Sequence, residues 1–470
     1  MSNHQASRPV VEAGLTPVVR IADEPNVPTY TLGARMEHYA VPGAAIAVIE
    51  DGELAWTAAH GLADADTRRP LTDDTVMQAA SISKAVAAIG VLALVEHGTL
   101  DLDADVLAHL GRWHPTGDVD SPPLTLRHLL SHTAGTTVPG FPGYRRDEPL
   151  PSVVDVLAGT GGANTPAVER FAAPGTTMQY SGGGTTIVQL LVTEVTGREF
   201  GELMDDLVLR PLGMTASAYE QPLRTDRLAR AATGHDERGR PVSGSHHVYP
   251  ELQAAGLWTT VGDLGRWLLG VQRILRGDGS GPISRATAEL MVAPVPPGTF
   301  GLGPELGGSL TDGHDTRRFG HSGSNEGFRT LADGLVGRGC GMAVLTNGAN
   351  GSAMCGEIRR SVAAAQGWGP IDEVAITPVT GIGETLAACT GEWSGPFGRR
   401  MRLDLDGEVL VAPAPYGRRR LIPIAPDELI DDETGALLRV HLVDGAATRI
   451  TVHVGDAELM AFTRGAGDDR

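Results

Sequence analysis

One segment constrains the fold more than any other part of the chain. Residues 81–98 read SISKAVAAIGVLALVEHG, which is apolar on almost every side of a helix and ends at a glycine. A helix without a polar face has to be buried, so the rest of the chain must pack around it. Its apolar run, 85–95, is far shorter than the about 20 residues that a membrane span needs. We therefore expect this helix inside a protein core.

The chain is long enough to build such a core and more than one domain. Of its 470 residues, 41% are hydrophobic and 20% are charged. The net charge of −19 argues against nucleic acid or a membrane surface as partner, because both attract positively charged proteins. The first residues lack the basic and apolar segments of a secretory signal, so we expect a cytoplasmic protein.

Turn and strand signals predict a mixed α/β region. Residues 43–56 form two strand-like runs around Asp51-Gly52, which predicts a hairpin. Strand-like runs return between 316 and 347 and are expected to join the same sheet. A helix is expected over 351–367.

The last part of the chain has a different pattern. Beyond 385, short alternating runs separated by turn residues predict a small antiparallel sheet or barrel. We therefore expect a lead-in over 1–30, a main domain over 31–370 and a β domain over 385–470. The three cysteines are Cys340, Cys355 and Cys389; their number and spacing fit buried free thiols and no disulfide framework.

The chain contains a single lysine. Lysine and arginine total 38, and Lys84 is the only lysine among them. Arginine does not lose its proton at usable pH, whereas a buried lysine can act as a base. Lys84 is therefore a candidate for proton chemistry, although an arginine-biased coding preference would also leave one lysine by chance.

Helix geometry pairs Lys84 with Ser81. Residues three apart lie on one helix face, about 5–6 Å apart at Cβ, so the two side chains can meet. The helix N-terminus adds positive potential at the serine oxygen. Together these favour Ser81 as an activated nucleophile.

Two further segments carry candidate residues. Tyr180 precedes a glycine-rich turn, and its phenol is a candidate proton carrier if Lys84 lowers its pKa; alternatively it is a packed core tyrosine. His321 lies in FGHSGSNEGF (319–328) between two strand-like runs, and backbone N–H groups of Ser324 and Ser81 are candidates for an oxyanion hole. A lone histidine is also often structural.

Three short motifs together resemble a known superfamily. They are Ser81-Ile-Ser-Lys84, Tyr180-Ser-Gly182 and His321-Ser-Gly323. Their order and approximate spacing resemble those of the class C β-lactamase, DD-peptidase and esterase superfamily. The stretches LTLRHLLSHTAG (124–135) and VPGAAIAVIEDGEL (41–54) also look like landmarks of this group. The resemblance covers roughly residues 30–367.

The resemblance implies a fold and a set of roles. The fold would be an α/β (α+β) arrangement, an antiparallel sheet flanked by helices with a helical subdomain, followed by a lipocalin-like barrel. Ser81 would be the nucleophile and Lys84 with Tyr180 the proton-transfer pair. His321 stands where β-lactamases carry lysine.

Two departures from the family pattern bear on the substrate. The second motif usually ends in Asn, but here Gly182 takes that place, and Asn325 is a candidate to supply the missing contact. A neutral His321 binds a carboxylate less well than lysine does. Both departures favour an ester, thioester or D-amino-acid amide over a β-lactam.

Other candidates carry less chemistry. Gly323 is small enough for a substrate to approach the strand, and Trp258 either lines the pocket or packs at a helix start. His235, His246 and His247 are expected to be solvated loop residues and not metal ligands. His132 is expected to help fold the 124–135 turn. Neither a metal nor an organic cofactor is implied.

These observations favour a serine hydrolase that forms an acyl-enzyme on Ser81, an esterase or D-amino-acid amidase or peptidase. A cytoplasmic acyltransferase or a peptide-cyclising thioesterase of specialised metabolism is the alternative within that chemistry. A binding or sensor protein is the alternative from another class. Gly182 favours it, and the retained Ser81, Lys84 and Tyr180 argue against it. The partner is a small molecule or peptide, and the oligomeric state stays open.

Overall fold

The computed structural model describes residues 7–22, 24, 27–116, 122–278, 281–311, 314–395, 400–414, 417–454 and 457–464. It divides into two compact units. The larger contains Met1–Arg8 and Ala40–Cys355, and the smaller contains Pro9–Tyr39 and Gly356–Arg470. The expected domain limits at 30, 370 and 385 stay predictions.

The helices have the following bounds: α1 Ser7–Ala13, α2 Leu32–His38, α3 Ile82–Glu96, α4 Leu126–Leu130, α5 Val153–Ala158, α6 Gly182–Thr196, α7 Phe200–Met204, α8 Thr225–Leu228, α9 Leu252–Ala255, α10 Val261–Arg276, α11 Arg285–Met291, α12 Gly351–Gln366 and α13 Gly383–Cys389. A 3₁₀ turn covers Val106–His109 and a π turn covers Asp205–Leu209.

The strands have the following bounds: β1 Val19–Ile21, β2 Gly43–Glu50, β3 Glu53–Asp64, β4 Arg69–Pro70, β5 Met77–Gln78, β6 Tyr144–Arg145, β7 Ala218–Tyr219, β8 His247–Val248, β9 Leu257–Thr259, β10 Glu305–Gly307, β11 Leu310–Thr311, β12 His314–Asp315, β13 Arg318–Asn325, β14 Phe328–Leu335, β15 Gly341–Thr346, β16 Val374–Ile376, β17 Gly391–Ser394, β18 Arg400–Asp406, β19 Val409–Ala414, β20 Gly417–Ala425, β21 Glu428–Asp431, β22 Leu437–Val443, β23 Ala446–Val454 and β24 Ala457–Arg464.

A seven-stranded antiparallel sheet is the framework of the larger unit. Its order is β10-β13-β14-β15-β2-β3-β4. The β2–β3 hairpin turns at Asp51 and Gly52, with φ +52° and +80°. A two-residue turn with both φ values positive follows the twist of its strands, and Asp-Gly tolerates it. The predicted hairpin, and the return of the later strands to its sheet, are confirmed.

Helix α3 is enclosed as the sequence predicts. Residues 82–94 are all buried, and the helix packs against α7, α9, β13 and β14. Gly90 allows α3 to lie close to α7, since a Cβ at Gly90 would lie 2.8 Å from the sulfur of Met204. Gly98 follows the helix at φ +72°. The apolar sequence around the whole helix is therefore matched by packing on all its sides.

The smaller unit contains a closed barrel of the eight strands β17–β24, each paired with its neighbour in the chain. β17 pairs with β24 and closes the barrel. Alternate residues such as Leu403, Leu410 and Leu421 point into its core, and Leu386 of α13 joins them. The predicted fold class, a mixed α/β region followed by an antiparallel barrel, is confirmed.

Two further expectations concern cysteines and membrane spans. Cys340, Cys355 and Cys389 are free thiols, as expected, but only Cys355 and Cys389 are buried, and Cys340 is half-buried. Within the part of the chain that the structure describes, helices are all too short or too polar to cross a bilayer.

A buried ion pair lies within the smaller unit. Arg35 of α2 is 8% exposed and Glu357 of α12 is 2% exposed. The guanidinium donates through Nε and Nη2 to the two carboxylate oxygens, at 2.8 and 2.5 Å. Tyr39 donates its hydroxyl to the same carboxylate at 3.0 Å. Because both charges are removed from water, each needs the opposite charge to offset the cost of its desolvation.

We expect Glu357→Gln to destabilise the smaller unit strongly. It leaves the Arg35 charge buried without a counter-charge, which typically costs about 3–5 kcal/mol. The exposed pair Arg285–Glu289 offers a matched control, because surface pairs contribute about 0–1 kcal/mol. Urea unfolding of Glu357→Gln and Glu289→Gln measures both; equal, small losses would contradict the argument.

Candidate active site

Ser81 lies in a strained turn immediately before α3. Ala80 has φ +51°, a conformation that costs a non-glycine residue about 1–2 kcal/mol. Ser83 holds this turn in place: its hydroxyl donates to the Ala80 carbonyl at 2.5 Å and accepts the Leu257 N–H at 3.0 Å. The turn therefore presents Ser81 in one fixed orientation.

Lys84 meets Ser81 inside the core. Its Nζ donates to Ser81 Oγ at 3.0 Å and to the Ala254 carbonyl at 2.7 Å. Its side chain is buried, and this burial lowers the pKa of Lys84 to about 7. Both hydrogen bonds go to uncharged oxygens, so no paired carboxylate counteracts the effect among these contacts. At neutral pH a large fraction of the amine is therefore unprotonated.

Tyr180 is the third member of this cluster. Its ring centroid lies 5.1 Å from Lys84 Nζ, and its hydroxyl lies 3.4 Å from His321 Nε2. Burial raises the pKa of Tyr180 well above its usual value, while a hydrogen bond with Ser81 acts in the opposite direction. The condition that Lys84 lower this pKa is not met, because removal from water outweighs the hydrogen bond with Ser81. The phenol is protonated at rest.

His321 of β13 is a neutral imidazole. Burial, followed by the nearby Lys84, lowers the pKa of His321 to about 3. Nδ1 lies 2.5 Å from the Ser322 carbonyl, which only accepts, so Nδ1 carries the hydrogen. Nε2 is then the acceptor for the Tyr180 hydroxyl. This imidazole accepts a hydrogen bond from the tyrosine and carries no charge to attract a carboxylate.

His132 contributes more than the folding of its turn. Its ring packs on Tyr180 with centroids 4.3 Å apart, and its Nδ1 accepts the Ser181 N–H at 3.2 Å. Burial lowers the pKa of His132 well below its usual value, so this ring is neutral too. Phe300 packs at its edge, 4.9 Å away. The sequence SHTAG marks His132 as a histidine in a turn of small residues. Only the fold brings its ring against Tyr180.

Gly323 lets β13 lie close to the turn that carries Ser81. A Cβ at Gly323 would lie 2.4 Å from the Ala79 carbonyl oxygen and 2.1 Å from Thr330 Oγ1. Only glycine fits this approach. Ser324 follows it in β13, so the strand lies close to Ser81; the oxyanion role of the two N–H groups stays a prediction.

The geometry above agrees with a family match. The family model described as Beta-lactamase matches residues 31–366, more than half of the chain. The chain belongs to the Beta-lactamase family. Esterase EstB of Burkholderia gladioli is 35% identical over 215 residues, which are 43% of this chain and 52% of the esterase. The chain thus spans about half the length of that relative.

Two other Beta-lactamase-like proteins extend the match. Penicillin-binding protein 4 of Amycolatopsis lactamdurans is 29% identical over 339 residues, which are 67% of this chain and 82% of that protein. The solved structure of an octameric penicillin-binding protein homologue from Pyrococcus abyssi has a TM-score of 0.59 at 22% identity, and the alignment covers 92% of this chain and 98% of that one. The family model and the names of the two relatives support a serine hydrolase in general, whereas the likeness to the solved structure shows the fold alone.

Gly182, which stands where the second motif usually has Asn, is closely packed. A Cβ at Gly182, the first residue of α6, would lie 2.9 Å from Phe141 Cε2 and 3.2 Å from the Pro139 carbonyl. Phe141 therefore fills space beside the motif that a longer side chain would need. An asparagine at 182 would require this loop to move.

Asn325 does not replace the missing amide. It is buried, and its Nδ2 donates to Gln78 Oε1 at 2.7 Å and to the Ala255 carbonyl at 3.1 Å. Both amide hydrogens are thus used inside the protein. Trp258 is fully buried between His246 and Phe328, which agrees with the packing alternative for this residue.

Two of the three loop histidines are not solvated. His235 and His246 are at most 1% exposed. His235 accepts the Ala65 N–H through Nε2 and donates through Nδ1 to the Asn347 carbonyl. His247 is partly exposed and donates to the Pro142 carbonyl. The expectation of solvated histidines is wrong for the first two, because the loop they lie on is covered by neighbouring segments.

We expect kcat/KM to follow the ionisation of Lys84. The neutral amine is the form that accepts the serine proton, so activity rises about tenfold per pH unit below 7 and levels off above it. A pH profile with p-nitrophenyl acetate measures this. His321→Gln should keep the inflection near 7, because the pKa of His321 is about 3. Loss of the inflection in that variant would assign it to the imidazole instead.

Proposed function

We propose that this chain is a serine hydrolase that acts through a covalent acyl-enzyme on Ser81. One contact carries this proposal: Lys84 Nζ lies 3.0 Å from Ser81 Oγ, within the core. A buried amine beside a hydroxyl in a strained turn is the arrangement in which an uncharged base activates a nucleophile.

The contacts suggest a proton route. As Ser81 Oγ bonds to the acyl carbon, its proton moves to Lys84 Nζ. The bond to the leaving group then breaks, and the leaving group takes the hydroxyl proton of Tyr180. The resulting phenolate regains a proton from the Lys84 ammonium. Water repeats the sequence on the acyl-enzyme and releases the acid, while the N–H groups of Ser81 and Ser324 hold the oxyanion.

We propose an ester or a D-amino-acid amide as the substrate. The neutral His321 offers no charge to a substrate carboxylate, and Phe141 lies beside the motif at Gly182. Both features reduce recognition of β-lactams, which carry a carboxylate and an acylamino group. The resemblance to a protein named an esterase supports the ester. The expected cytoplasmic location stays a prediction.

Ser81→Ala and Lys84→Arg test the mechanism. We expect Ser81→Ala to lower kcat for p-nitrophenyl acetate by at least about a thousandfold and to abolish labelling by a fluorophosphonate. Lys84→Arg keeps a positive charge but removes the titratable base, so a loss of at least about a hundredfold is expected. Ser284→Ala, an exposed helix cap, is the matched control. Wild type that neither labels nor exceeds Ser81→Ala would favour the binding-protein alternative.

A substrate comparison tests the proposed preference. A lost charge-assisted contact to a carboxylate is worth about 1.5–3 kcal/mol, so nitrocefin should be turned over about 10- to 100-fold less efficiently than a simple ester. His321→Lys should narrow this ratio, because it restores a cation. A wild-type kcat/KM for nitrocefin equal to that for p-nitrophenyl acetate would contradict the preference.

A further inference from the structure

The barrel of β17–β24 contains a cavity of about 690 Å³. This volume lies within the roughly 300–1,000 Å³ of small-molecule pockets. Leu386 and Cys389 of α13 fill the barrel core where β17 begins. The cavity occupies the other end, where Thr434 and Ala436 join β21 to β22. Eight strands leave enough interior for one small ligand when the side chains do not fill it.

Apolar side chains form most of the cavity wall. They come from five different strands and comprise Met401, Leu421, Leu438, Val452, Met460 and Phe462. Strand register places Val452 opposite Met460, so these two side chains lie on the same face of their pair. Methionine side chains adapt their shape to a bound chain. The wall is suited to an aliphatic group.

One ion pair points into this apolar interior. Arg419 donates through Nη1 to Asp431 Oδ2 at 3.0 Å. The other oxygen of Asp431 accepts the N–H groups of Glu433 and Thr434, both at 3.0 Å. The carboxylate is therefore satisfied by the protein. A guanidinium has five N–H donors, so Arg419 keeps donors for a further acceptor.

Among the charged groups around the cavity, Arg419 is the cation placed to meet a head group. Arg400, Arg402 and Glu392 are exposed and alternate with the inward-facing Trp393, Met401 and Leu403, so they lie at the rim. Arg402 is paired with Glu392 and Asp404, and Asp431 with Arg419. An anionic head group would meet an available donor fork, whereas a cation would compete with the arginines for the same carboxylates.

We propose that the barrel binds a medium-chain aliphatic carboxylate, with its chain along the apolar wall and its head group on Arg419. This site lies outside the proposed hydrolase function, because none of its residues belongs to the Ser81 cluster.

Methionine NMR of the unsubstituted full chain tests the site. The variants Met401→Leu and Met460→Leu serve only to assign the two ¹³C-methyl signals, which are then followed in the wild-type chain during titration with decanoate. Shifts at these two methyls are expected. Shifts at neither, or only at Met178 beside the Tyr180 motif, would overturn the proposal, the latter by showing capture at the active site instead.

Calorimetry with matched variants tests whether Arg419 binds the carboxylate head group. We expect Arg419→Gln to weaken decanoate binding about tenfold or more, and decanol binding by less than twofold. Arg418→Gln, exposed on the outer face of the same strand, should leave both unchanged. Decanoate affinity that is equal in the two variants would overturn the assignment of Arg419. Tighter binding of decylamine than of decanoate by wild type would overturn the anionic class.

Discussion

The hydrogen bond between Lys84 Nζ and Ser81 Oγ exists because α3 is enclosed on all sides. An amine at the surface of a helix stays solvated and protonated. On α3 the same amine is held among apolar side chains, and its remaining hydrogen bond goes to the Ala254 carbonyl. Packing of the larger unit around this helix thus lowers the pKa of Lys84, which is the change that its proposed role as a base requires.

Burial acts on the neighbouring groups in a consistent direction. It favours the neutral form of Lys84, Tyr180, His132 and His321 alike. A cluster of uncharged donors and acceptors avoids the cost of holding resting charges in a medium that solvates ions poorly. This explains why the phenol is not a resting phenolate. The same burial leaves His321 without a charge, on which the proposed substrate preference depends.

The site and the barrel use burial differently. Around Ser81, burial favours the uncharged form of each ionisable group. In the barrel, the Asp431 carboxylate is instead paired with Arg419 and with two backbone N–H groups. The pair Arg35–Glu357 follows the second pattern, with every carboxylate oxygen paired. Whether a buried ionisable group is neutral or paired therefore depends on the partners that the fold supplies.

Sequence alone determined the local elements and the residues of the proposed site. The apolar helix, the Asp51-Gly52 hairpin and the alternating strands after 385 follow from periodicity and turn chemistry, which depend on neighbouring residues. The pairing of Ser81 with Lys84 follows from helical spacing. Tertiary structure alone decided the direction of the Tyr180 pKa shift and the stacking of His132 on Tyr180. It also decided that the Asn325 amide donates to Gln78 inside the protein. These depend on residues far apart in the chain, because desolvation and hydrogen-bond partners are set only once distant segments pack together.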